Sequence, residues 1–230
     1  MNAIRPDEEM DNLHSIYVDQ WDWELVIDRA SRNVEFLKKT VRAIVNVICD
    51  TADKIKKQYP ALSVNLSREV KFITAQQLEG LYPELAPRER ETAFLREVKT
   101  AFIMQIGEVL KSGVKHDGRA PDYDDWSLNG DIFFLNDVLD CAFEISSMGI
   151  RVDEKSLDTQ LTKAACDYRR KLPFHKALLE GELPLTMGGG IGQSRLCMLL
   201  LQKAHVGEAR VSVWDKNTIS GCKAAGIKIL

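Results

Sequence analysis

The feature that constrains this chain most is Thr186-Met-Gly-Gly-Gly-Ile-Gly-Gln-Ser-Arg-Leu-Cys-Met-Leu-Leu-Leu-Gln202. Its four glycines, at 188, 189, 190 and 192, run directly into a leucine-rich helical stretch. Glycine lacks Cβ, so a backbone built from it can approach a ligand closely. A helix start presents free N–H groups and a partial positive charge. Arg195 falls in the expected first turn, where a cation is unfavourable unless it shares an anion with the helix. The segment is therefore expected to be a glycine-rich turn aimed at phosphate or carboxylate. A plain turn beside a surface arginine would satisfy the glycines equally well. The spacing matches neither the P-loop nor the dinucleotide-binding fingerprint.

Bulk properties narrow the class. At 230 residues the chain is long enough to bury a core as one large domain or two small ones. A net charge of −3 argues against a general nucleic-acid surface. Five scattered cysteines (49, 141, 166, 197, 222) form no CxxC pair, which points to reduced thiols in the cytoplasm and not to structural zinc. The N-terminal residues do not resemble a signal peptide, and no apolar run approaches a membrane span.

Periodicity predicts a strand over 14–23 and a long amphipathic helix over 31–58, with Ser31 as its N-cap. Val70–Ile73 reads as a strand handing over to a short helix at Thr74. A helix over Arg88–Val98 and a strand over Ala101–Ile106 follow. Residues 112–130, rich in glycine, proline and aspartate, are expected to form an exposed loop. Further strands are expected at Asp131–Leu135, Cys141–Ser146, Gly149–Val152 and Ala209–Trp214. Helices are expected at 156–170, at 174–180 and from the glycines to about 203. Grouped strands with interleaved helices predict one mixed α+β domain over 1–230, with no boundary signal.

Two more stretches carry chemistry. Residues 120–150 hold seven acids (122, 124, 125, 131, 137, 140, 144) and no lysine or arginine. A solvated loop would have the same composition. However, Asp131 and Glu144 fall in apolar strands, where an unpaired carboxylate is costly and a cation partner or Mg²⁺ is expected. In Val18-Asp-Gln-Trp-Asp-Trp-Glu24, strand alternation places Gln20, Asp22 and Glu24 on one face. An amide and a carboxylate there suit a small amino acid, and an edge strand with polar residues outside would look alike. Arg5 lies near a strand end, as many surface arginines do. The four histidines (14, 116, 175, 205) show no metal-ligand spacing and no triad, although His116 lies on the approach to the acidic loop.

Several motifs in order resemble the ammonia-dependent asparagine synthetases, the aspartate–ammonia ligase family. They are Arg5-Pro-Asp-Glu8, Leu13-His-Ser-Ile-Tyr-Val-Asp-Gln-Trp-Asp-Trp-Glu24, Arg119-Ala-Pro-Asp-Tyr-Asp-Asp-Trp-Ser127, Leu128-Asn-Gly-Asp131, Phe143-Glu-Ile-Ser-Ser-Met-Gly-Ile-Arg151 and Gly188-Gly-Gly-Ile-Gly-Gln-Ser-Arg195. The resemblance implies a mostly antiparallel sheet flanked by helices, similar to the catalytic domains of class II aminoacyl-tRNA synthetases. It places motifs 2 and 3 at the first and last stretches and leaves out the N-terminal motif 1 portion. It also marks a family loop that is missing between Ser127 and Leu128.

The activity implied is ATP-dependent amidation of aspartate by ammonia through β-aspartyl-AMP. Carried over residue by residue, Arg5 contacts the α-phosphate and Arg195 the distal phosphates or adenine. Gly190 admits the substrate or nucleotide backbone-close. Glu144 holds Mg²⁺, helped by Asp131 or Ser147, and Gln20, Asp22 and Asp124 hold aspartate. The family's members are homodimers, and neither a membrane nor a nucleic-acid partner is implied. Two other readings stay open: a non-catalytic paralogue that binds adenylate, amino acid or a full-length partner, and a fragment of an aspartyl- or asparaginyl-tRNA synthetase. The acidic net charge and the lack of a tRNA-binding domain disfavour the last.

Overall fold

The computed structural model describes residues 1–230. Seven strands form one sheet: β1 (Asn2–Ile4), β2 (Tyr17–Val26), β3 (Lys71–Thr74), β4 (Thr100–Met104), β5 (Asp124–Asn136), β6 (Cys141–Arg151) and β7 (Thr186–Gly192). Their spatial order is β1-β2-β7-β6-β5-β4-β3, and every pairing is antiparallel except β3 with β4. Seven α-helices flank the sheet: α1 (Val34–Gln58), α2 (Ala75–Leu81), α3 (Pro87–Val98), α4 (Glu154–Lys163), α5 (Pro173–Leu179), α6 (Gln193–Leu200) and α7 (Lys216–Ala224). The expected mixed α+β architecture holds. No helix is long and apolar enough to cross a membrane, and all five cysteines are unpaired.

Strand alternation divides the core between the two faces of the sheet. Phe102, Ile132, Phe134, Met148 and Ile150 pack against Leu37, Val41, Val45 and Ile48, the apolar stripe of α1. On the other face Ala101, Ile103, Phe133 and Leu135 pack under Leu78 of α2 and Leu95 of α3. Those two helices cover the β3–β4–β5 end of that face and the start of β6. Across β6, β7 and β2 the same face carries polar residues and glycine, and it holds the candidate site.

Several local expectations change. Asn33, not Ser31, caps α1; its carboxamide oxygen accepts from the Phe36 N–H at 2.9 Å. The glycine run is not a turn, because Thr186–Gly192 is a strand held by β2 on one side and β6 on the other. The expected loop over 112–130 ends at Tyr123; β5 runs on through Ser127 and Leu128, where its register against β6 shifts between Asp124 and Asn129. Strands 141–146 and 149–152 are one strand. Helix 156–170 stops at Lys163, then Ala165 turns with φ 54° into a 3-10 turn at Asp167–Lys171. Residues 209–214 form no strand; Val211 and Val213 point to solvent and Arg210 reaches back to Asp19. α7, capped by Asp215, was not expected from the sequence.

Candidate active site

One cross-strand row sets the geometry. Asp131 of β5 pairs with Ser147 of β6, Ser147 with Gly190 of β7, and Gly190 with Asp22 of β2. Directly paired residues share a face, so these four project from one side of the sheet. The next row, Asn129, Gly149, Gly188 and Glu24, lies alongside. Glycine therefore floors a trough along β7, and Gln20, Asp22 and Glu24 form one bank, as alternation requires.

Glu144 joins this face through an irregularity. It lies three positions before Ser147, a spacing that puts side chains on opposite faces of a regular strand. The register of β5 and β6 shifts between Ile132 and Phe133, so Phe133 pairs with Glu144 while Ile132 pairs with Ser146. The β-bulge restores the parity and brings Glu144 round to the site.

Gly190 and Gly189 show why the glycines are needed. A Cβ on Gly190 would stand 3.0 Å from Asp22 Oδ1 and 3.1 Å from Gln20 Oε1, filling the trough against side chains able to rotate. One on Gly189, on the opposite face, would meet Met148 Cβ at 2.5 Å and Ser147 O at 2.8 Å. Gly190→Ala should therefore fold with little change in melting temperature, whereas Gly189→Ala should lower it by several degrees. Thermal melts of the two variants check this, and equal losses would contradict the placement.

The acidic stretch is neutralised from its two ends. Arg119 and Arg151 bracket the lysine- and arginine-free run, and both fold back into it. Arg119 donates to Asp131 at 2.6 Å and to the Ser147 hydroxyl, with its Nε buried and unpartnered. Burial pushes the Asp131 carboxyl up to about 7; Arg119 opposes that shift and Glu144 adds to it. Arg151 donates to Asp124 and to both oxygens of Glu24, and its guanidinium lies 3.9 Å from the Tyr123 ring centroid. Asp124 is only 2% exposed and shares the trough face, paired in register with Arg151 and packed beside Gly149. Burial raises its carboxyl above the usual range despite Arg151 and Arg119.

At the far end of the trough Arg195 donates to the Glu144 carboxylate at 3.2 Å and to the His14 Nε2 at 2.8 Å. The His14 Nδ1 faces Asp11 at 2.8 Å. With Arg195 as donor, His14 must accept at Nε2 and carry its proton on Nδ1. Arg5 follows β1, pairs loosely with Glu8, and lines one cavity with Gln20, Glu144, Gly190 and Arg195. A second cavity behind Glu144 is lined by Asp131, Arg195 and the His116–Glu91 pair, in which the His116 side chain is 1% exposed.

The expected residues Arg5, Gln20, Glu144, Gly190 and Arg195 thus meet in one cavity, with Asp22, Asp131 and Ser147 on the adjoining row. Asp124 lies on the same face just beyond the Gly149 row, buried and paired with Arg151. Arg119, Arg151 and His14 are additions that the site residues inferred from sequence left out. The first two had a legible signal as the only cations flanking the acid run. His14 had none beyond its place ahead of β2.

A model of the Aspartate-ammonia ligase family (AsnA) matches residues 1–226. The chain belongs to the aspartate–ammonia ligase family. It is 57% identical over 230 residues to the aspartate–ammonia ligase of Ruminiclostridium cellulolyticum, covering all of this chain and 68% of that protein. It is 58% identical over 230 residues to the aspartate–ammonia ligase of Clostridium tetani, covering all of this chain and 67% of that one. The name these relatives share is that of an enzyme forming a C–N bond.

Among solved structures, the Entamoeba histolytica asparaginyl-tRNA synthetase in complex with asparaginyl-adenylate superposes with a TM-score of 0.65 at 17% identity over 91% of this chain. The Pyrococcus horikoshii asparaginyl-tRNA synthetase complexed with asparaginyl-adenylate gives a TM-score of 0.64 at 14% identity over 91% of the chain. The chain spans about half the length of each. The family and the class II synthetase-like fold expected from the motifs both hold.

Proposed function

We propose that residues 1–230 act as one catalytic unit that amidates L-aspartate with ammonia, using ATP and passing through β-aspartyl-AMP. The observation that carries this reading is the glycine-floored trough, with arginines at one end and an amide–carboxylate bank along its side. In the first step an oxygen of the aspartate β-carboxylate attacks the α-phosphorus and pyrophosphate leaves. In the second, the nitrogen of ammonia attacks the acyl carbon, AMP departs with the C–O bonding pair, and a proton is lost.

Arg5 would stabilise charge on the α-phosphate, and Arg195 would bind the distal phosphates or the adenine, giving up Glu144 as it does so. Gln20 and Asp22 would take the aspartate amino group. Arg151, held by Asp124 on one side and by Glu24 from the bank on the other, would offer its guanidinium to a substrate carboxylate. In this reading Asp124 positions Arg151 and does not itself touch aspartate.

The chain's own donors fit Mg²⁺. No cluster of three or more acids, histidines or cysteines converges to cage a metal. Mg²⁺ instead typically takes one or two carboxylates beside substrate phosphates and water. Glu144 and Asp131 provide two, with the Ser147 hydroxyl paired beside Asp131; burial, with the Glu144 charge added to it, raises the Asp131 carboxyl, and a cation there would offset both. When bound, the ion would neutralise charge on the phosphates as pyrophosphate departs.

The deciding experiment measures AMP formation by the purified chain with aspartate, ATP, Mg²⁺ and ammonia. AMP that depends on both aspartate and ammonia supports the reading; none above background overturns it. Asp22→Asn should weaken aspartate binding about tenfold while ATP binding changes little, since one charge-assisted hydrogen bond is lost. Isothermal titration of both ligands checks this, and equal losses would remove Asp22 from the amino-group role.

A further inference from the structure

Each arginine described so far at the trough is held by a carboxylate: Arg5 by Glu8, Arg119 by Asp131, Arg151 by Asp124 and Glu24, and Arg195 by Glu144. Arg88 differs. It stands exposed in the first turn of α3 and lines two hollows, one shared with Arg5 and His14, the other with Glu144 and Arg195. It makes no ion pair. Of the acids lining these hollows, Glu8, Asp11, Glu91, Asp131 and Glu144 are committed to Arg5, His14, His116, Arg119 and Arg195. Asp7, Glu9 and Asp117 also line them and do not pair with Arg88.

The backbone beneath Arg88 is fixed. Pro87 opens α3, Glu89 accepts from the Ala86 N–H at 2.9 Å, and Leu95 sits in the core. Arg90 is buried and donates to the Tyr82 and Pro83 carbonyls and to Glu79, and Arg96 binds Asp140. An unpaired guanidinium on a rigid base, lining one hollow with Arg5 and another with Arg195, is preorganised for an oxyanion and needs no bond broken to receive one.

We infer that Arg88 binds the distal, β- and γ-phosphate end of the nucleotide and the departing pyrophosphate, and that it plays no part in holding the AMP portion. The inference rests on the proposed use of ATP in this cavity. This contact would stand beside that of Arg195 and comes from outside β2, β6 and β7, from α3, which packs over β4, β5 and the start of β6 on the same face.

The test titrates the full chain, in Mg²⁺, with ATP, inorganic pyrophosphate and AMP separately, comparing wild type, Arg88→Ala and Arg88→Lys. Because Arg88 is exposed and unpaired, both variants should melt with the wild type. Arg88→Ala should raise Kd for ATP and pyrophosphate about tenfold and leave AMP within about twofold, the loss of one charge-assisted contact. Arg88→Lys should recover part of that loss, keeping the charge without the fork. ATP and pyrophosphate affinities unchanged in Arg88→Ala would show that the side chain faces solvent only. An equal loss for AMP would show that it acts on the pocket as a whole, and either result overturns the inference. A wild type that binds none of the three would instead overturn the proposed function beneath it.

Discussion

Glu144→Gln is expected to reduce aspartate-dependent ATP–pyrophosphate exchange by about 10²–10³-fold, the usual scale for one preorganised electrostatic contact in a transition state. The substitution is nearly isosteric. The amide oxygen of the introduced glutamine can still accept from Arg195, so the side chain keeps its place while losing the charge that would hold Mg²⁺ against the phosphates. Folding should be almost untouched. Glu144 is 38% exposed and its pair with Arg195, at 3.2 Å, is partly solvated; pairs of that kind contribute no more than about 1 kcal/mol. Exchange kinetics beside a thermal melt separate the two effects. Exchange at the wild-type rate would take Glu144 out of the site, and a collapsed melt would show that it holds the bulge together.

That prediction depends on a placement which strand alternation does not give. Reading β6 as a regular strand puts Glu144 and Ser147 on opposite faces. Only the shifted register opposite Ile132 and Phe133 unites them. A bulge adds one residue without a compositional mark, so the bringing together of the two was carried by resemblance and not by pattern. Alternation did suffice in β2, where Gln20, Asp22 and Glu24 share the bank as the spacing requires. The period of α1 was equally plain, because a long amphipathic helix repeats its apolar stripe many times.

β7 failed for the opposite reason. Glycine has the weakest strand preference of any residue except proline, so the run reads as a turn. Its conformation is imposed by the partners, β2 and β6, which pair with it from both sides. The same lack of side chains that hides the strand in the sequence opens the trough in the fold. Arg119 and Arg151 illustrate a third case. Their isolation at the ends of an acid run is visible in the sequence, but which acid each one meets is fixed only by the folding of β5 onto β6.

Arg151→Met should be the most destabilising single change at the site, costing about 3–5 kcal/mol, the range found when one partner of a buried pair is removed. Asp124, 2% exposed, would lose its only direct cation and would have to take up a proton or remain charged in the interior. Glu24 would lose less, because its carboxylate is 45% exposed. In a chain of this length the melting temperature should fall by roughly ten degrees. The loss should also grow with pH. Removing Arg151 raises further a folded-state carboxyl that burial already holds above its ordinary value. The native state then binds a proton that the unfolded state has released, so stability declines as pH rises above the unfolded value. The melting deficit should therefore be smaller near pH 5 than at pH 8. Adding Asp124→Asn to Arg151→Met removes the stranded acid, so the double variant should regain most of the stability and lose the pH dependence, because the packing defect left by methionine is small. Aspartate-dependent exchange should not return with it if Arg151 serves the substrate. A double variant that melts no higher than Arg151→Met would show that the guanidinium stabilises the fold through Tyr123 and Glu24, and that Asp124 is not the acid it serves.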